Sequence, residues 1–133
     1  MIYHGNRIKL RQDITPQQFE EALECFRDQG RAIPAVKWFI LGPEHNSDFD
    51  WSAIFALEDV DAYREYLTHP AHVKTERIGI PLMEKFETFD ISDTPGPELG
   101  AKIAELQKRN YEADPELAKL VSGLASHTGS SAV

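Results

Sequence analysis

Two hydrophobic periods alternate along residues 2–91, and their order leaves few folds open to the chain. Ile2 to Leu10 follows the two-residue period of a strand: Ile2, His4, Asn6, Ile8 and Leu10 share one face, and Tyr3, Gly5, Arg7 and Lys9 share the other. Thr15-Pro16-Gln17-Gln18 then carries the marks of a helix start. Thr15 is the N-cap, Pro16 takes the first helical position and Gln18 completes a capping box. Phe19, Ala22, Leu23 and Phe26 follow at i, i+3, i+4 and i+7 as one apolar stripe. Gly30 predicts the end of that helix.

Ala35 to Leu41 is apolar and aromatic and reads as a second strand, closed by Gly42-Pro43. After a polar loop, Asp50 to Leu57 reads as a third, with Trp51, Ala53, Phe55 and Leu57 on one face and Ser52, Ile54 and Ala56 on the other. Asp59 caps a short helix through Leu67, Pro70 opens another towards Ile78, and Lys85 to Ile91 is the last strand. The order is β-α-β-β-α-β. It predicts an α+β, ferredoxin-like fold, an antiparallel sheet with helices on one face. The uncovered face would expose Ile54, Phe89 and Ile91, and packing against a second copy would bury them. A homodimer through the sheet faces is therefore expected.

Composition shifts at Asp93-Thr94-Pro95-Gly96-Pro97, a linker. Residues 1–95 form the main domain in this reading, and 96–126 a helical C-terminal extension with Leu99, Ile103 and Leu106 along one stripe. Residues 127–133 are small and polar and read as a flexible tail. A chain of 133 residues with 41% hydrophobic side chains suits one modest core. Its net charge of -8, with no basic stripe, argues against nucleic acid and anionic membranes as partners. No apolar run approaches a membrane span, and Met1 to Arg11 does not resemble a secretory signal. Cys25 is the single cysteine, so no internal disulfide forms and a reducing cytoplasm is the expected location.

Tyr66-Leu67-Thr68-His69-Pro70-Ala71-His72 gathers a phenol and two imidazoles beside a helix-opening proline. Imidazole changes charge near neutral pH. His72 could remove a proton from carbon beside a carbonyl, and Tyr66 could donate a hydrogen bond to the oxyanion that forms. His4 and Asn6, facing inward, could orient a small-molecule ligand, with Trp51, Phe55, Phe86 and Trp38 as its apolar surroundings. Aldol cyclisation, isomerisation and decarboxylation all fit this set without a metal or organic cofactor. Each residue also has a structural reading: His72 bonding backbone at the helix junction, Tyr66 as core. His69, before a proline, is expected to bond locally. Cys25 has no basic neighbour other than Arg27 to activate its thiol, so a nucleophilic role is not expected. His69 and His72 straddle a helix break and do not make a zinc set with Glu76.

The element order, His4 on the first strand, the acidic Leu57-Glu58-Asp59 turn and the Tyr66–His72 element together resemble the stress-responsive α/β-barrel, or Dabb, family over residues 1–93. The resemblance implies a dimeric α+β barrel. Some members are stress proteins without assigned chemistry; others are cofactor-free enzymes, including a plant olivetolic acid cyclase that closes a linear polyketide by aldol condensation. By that resemblance Tyr66 and His72 carry the chemistry and His4 lines the same pocket. Trp51 stands where the cyclase has a further histidine, so substrate and reaction need not carry over. The expected function is acid–base catalysis on a hydrophobic carbonyl compound. The alternatives are a non-catalytic stress-response or binding barrel, or a cofactor-free monooxygenase.

Overall fold

The computed structural model describes residues 1–133. Its central strand is β1 (Ile2–Leu10), antiparallel to β3 (Trp51–Leu57) on one side and to β4 (Met83–Ser92) on the other. β2 (Val36–Pro43) lies beyond β3 and β5 (Ser126–Gly129) beyond β4, giving the order β2-β3-β1-β4-β5. α1 (Pro16–Ala32) connects β1 to β2, and α2 (Val60–Thr68) with α3 (Pro70–Gly79) connects β3 to β4. This is the ferredoxin-like α+β arrangement that the alternating periods predict. α4 (Pro97–Ala113) and α5 (Pro115–Ser122) follow, packed on α2 and α3 respectively.

Local chemistry starts the helices where the sequence places them. The Gln18 N–H donates to Thr15 Oγ1 at 3.1 Å, and the Thr15 N–H donates to Gln18 Oε1 at 2.8 Å, a complete capping box. Asp59 accepts from the Ala62 N–H. Between α2 and α3 the His69 ring accepts from the Ala71 N–H at 3.0 Å, so this imidazole is the N-cap of α3. Pro70 then occupies the first position, which puts His72 in the first turn.

The end of α1 and the C-terminal tail differ from expectation. Gly30 does not end α1, which continues to Ala32. The glycine instead admits the Phe39 ring, which would lie 2.3 Å from any Cβ placed there. The tail is not a loose end. Residues 126–129 form β5, parallel to β4, so the sheet is mixed rather than purely antiparallel. Without β5 the outer edge of β4 would present unpaired N–H and C=O groups. Ser131, just past the strand, is buried and its N–H donates to Thr88 Oγ1 at 2.7 Å. Short polar residues carry no strand period, so only this long-range pairing defines the element.

The inner sheet face packs Ile2, Ile8, Ala53, Phe55 and Leu57 against Phe26, Tyr63 and Leu67 of the helices. On the opposite face, Trp38, Ala56, Tyr3 and Ile91 make one cross-strand row, and Ile40, Ile54, Gly5 and Phe89 the next. Trp38, Ile40 and Ile91 are 49%, 60% and 56% exposed there. Trp38 therefore points away from the helices, against Tyr3, and not into the interior as expected. No helix is long and apolar enough to cross a membrane.

Candidate active site

α2 and α3 bring the Tyr66 and His72 rings together beside His4 of β1. Tyr66 is fully buried, its ring centroid 4.6 Å from that of His72 and 5.6 Å from that of His4. Gln29 of α1 donates from Nε2 to the Tyr66 hydroxyl at 2.6 Å. Burial, and after it the negative charge of Glu76, hold the Tyr66 phenol well above its ordinary pKa; the Asn6 amide, close to the hydroxyl but without hydrogen-bond alignment, and the Gln29 amide pull more weakly the other way. The phenol thus keeps its proton and serves as a donor, not a base. His72 is buried, with Nδ1 3.2 Å from Glu76 Oε1 one helical turn on but off the line of a hydrogen bond.

His4 is held from behind. Its Nδ1 lies 2.9 Å from Asp90 Oδ1, on the residue directly opposite in the β1–β4 ladder. The Tyr63 hydroxyl is 2.9 Å from the same nitrogen and donates to Asp90 Oδ2 at 3.2 Å. Gln107 of α4 donates to that hydroxyl at 3.1 Å. Burial, then the Asp90 charge, push the Tyr63 phenol well up as well. A carboxylate partner assigns the ring proton to Nδ1 and leaves Nε2 as the accepting nitrogen of His4.

These groups surround a cavity of about 40 Å³, room for about three water molecules. Five of the residues expected at a site line it: His4, Asn6, Tyr66, His72 and Phe86. Three do not. Trp38 stands on the far face of the sheet. Trp51 lies at the other end of β3 in a separate apolar cleft with Phe19, ring centroids 5.4 Å apart. Phe55 is fully buried between Phe39 and Tyr66 and supports the phenol ring without reaching the cavity.

Other lining and supporting groups escape a reading of the sequence. Glu76, Thr88, Gln107, Tyr111 and Ser131 line the cavity, and Gln29 does so as the partner of Tyr66. Asp90 alternates with Phe86 and Thr88 on an inward register, and Gln29 continues the α1 stripe three residues past Phe26. Both signals exist, but each reads as a polar residue at the end of an apolar pattern. Asn6 Nδ2 is buried beside the cavity with no hydrogen-bond partner in the chain. No three His, Cys, Asp or Glu side chains converge as a metal site.

Residues 2–93 match the Stress responsive A/B Barrel Domain, Dabb. The chain belongs to this family. Solved structures with the same fold include a dimeric ferredoxin-like protein of Thermobifida fusca, 22% identical, covering 68% of this chain and 89% of that one with a TM-score of 0.62. Hydroxynitrile lyase from Passiflora edulis is 12% identical, covering 71% and 96%, with a TM-score of 0.61. SnoaB, a cofactor-independent oxygenase from Streptomyces nogalater, is 20% identical, covering 71% and 94%, with a TM-score of 0.57. No curated protein sequence matches the chain. The Dabb match ends at residue 93, so Gln107, Tyr111, Val121 and Ser131 reach the cavity from outside the family domain.

Proposed function

We propose that this Dabb protein is a cofactor-independent acid–base enzyme acting on a carbonyl-bearing small molecule. His72 is the base and Tyr66 the hydrogen-bond donor. The observation that carries the reading is the 4.6 Å approach of the two rings at one cavity, beside a His4 oriented by Asp90. His72 takes a proton from carbon next to the carbonyl, or from a hydroxyl, and the oxygen that gains charge receives the Tyr66 O–H. The free Asn6 amide supplies a second donor, since a ligand oxygen there removes the cost of a buried unpaired N–H. Isomerisation, C–C cleavage and aldol closure of a polyketide-type chain share this proton chemistry. The hydroxynitrile lyase and the cofactor-independent oxygenase among the structural relatives support small-molecule chemistry on this fold. We infer that the exposed Trp38, Ile40 and Ile91 face pairs two copies, in keeping with the dimeric T. fusca relative.

The test is turnover of a panel of hydroxynitriles, β-diketones and poly-β-ketones by the purified protein. Loss of one acid–base group lowers such rates by about 10²–10⁴-fold. His72→Ala and Tyr66→Phe should each do so; full activity in both variants would refute the assigned roles. The small cavity favours a second reading, a binding module for a compact ligand. Binding of panel members without turnover would decide for it.

A further inference from the structure

The C-terminal segment is built into the cavity wall. Arg77 of α3 donates twice to Asp114, between α4 and α5, at 2.7 and 2.6 Å. Burial pushes the Asp114 carboxyl up, yet the Arg77 bonds hold it below its ordinary range. β5 pairs with β4, and Ser131 Oγ sits 2.7 Å from Thr88 Oγ1 and 2.8 Å from His127 Nε2. Tyr111, on α4, ties these two anchors together: its hydroxyl donates to the Ser131 carbonyl at 2.5 Å while its ring lines the cavity. Burial first, and the Glu76 charge second, push this phenol up to about 12, so the donor persists through neutral pH.

We propose that Tyr111 is the specificity-determining residue of the site, limiting its ligand to a short-chain carbonyl compound. The inference rests on the small-molecule reading above and narrows it. His72, Tyr66 and Asn6 gather the polar groups, and Gln107, Tyr111, Val121 and Ser131 close the space from outside the Dabb domain. With that wall in place the void is about 40 Å³, well below the several hundred Å³ usual for a drug-sized ligand. Tyr111 acts here through the volume it fills, not by touching reacting atoms.

The test is an NMR titration of the full chain with straight-chain methyl ketones of increasing length, starting from propanone, following the amides of His4, Tyr66 and His72. Wild type and Tyr111→Phe should bind only the short members, because the ring remains. Tyr111→Ala, and the milder Tyr111→Leu should alanine fail to fold, should admit longer chains, with affinity rising roughly fourfold per added methylene. The same length limit in all variants would overturn the role of Tyr111 and leave the small-carbonyl reading standing. No shift with any ketone in wild type and in the shortened variants would overturn both.

Discussion

His4 Nδ1 stands 2.9 Å from Asp90 Oδ1, and only 3% and 9% of the two side chains are exposed. The β1–β4 register brings them together, and Tyr63 closes the group by contacting both. Removing one partner leaves the others buried without it. Asp90→Ala should therefore destabilise the fold by about 1–3 kcal/mol in urea unfolding. Asp90→Asn should fold more stably than that and yet lose turnover, because an amide no longer fixes which His4 nitrogen carries the proton.

Gly30 lies inside α1 against the Phe39 ring. Alanine favours a helix over glycine, so propensity alone predicts a gain. The contact predicts the opposite: Gly30→Ala should lose about 1–3 kcal/mol through overpacking, read as a lower urea midpoint with an unchanged slope.

Arg7 grips Glu44 from Nε at 2.9 Å and Nη2 at 2.6 Å, on the outer sheet face. These bonds outweigh partial burial and take the Glu44 carboxyl from an ordinary 4.5 down to about 2. A depressed folded-state pKa stabilises the protein fully above the unfolded value and progressively less below it. Stability should fall between pH 4.5 and about 2, and Glu44→Gln should flatten that part of the pH–stability curve.

His127 lies stacked on Phe86 with Nε2 against Ser131 Oγ, and burial lowers its pKa below the ordinary 6.5. The folded tail prefers the neutral ring, so its attachment is complete above that value and weakens as pH falls below it. After correction for intrinsic rates, hydrogen exchange at the Ser130 and Ser131 amides should accelerate below pH 6.5. His127→Phe keeps the stack, cannot titrate, and should remove the pH dependence.

The order of elements was legible because periodicity and capping are local: Thr15 with Gln18, Asp59, and Pro70 after His69 each act within one turn. His4 and Asn6 were legible because strand alternation puts them with Ile2 and Ile8. What stayed hidden depends on partners far along the chain. Trp38 and Phe39 are neighbours on β2, and nothing local says which of two apolar rings faces the helices. β5 exists only through its register with Lys85–Thr88. Gln107 and Tyr111 read as the edge of an amphipathic helix, and their reach into the cavity follows from where α4 docks.

In the proposed chemistry His72 takes a proton from a ligand in the shared cavity while Tyr66 donates a hydrogen bond to the oxygen that gains charge. Deuterium uptake at the carbon beside the carbonyl of a small ketone, followed by NMR in D₂O, measures this without knowledge of the natural substrate. This proton chemistry predicts uptake faster than in buffer with wild-type protein, and a loss of that acceleration of about 10²-fold or more in His72→Ala. Uptake at the buffer rate with wild type, or acceleration that survives both His72→Ala and Tyr66→Phe, would contradict it.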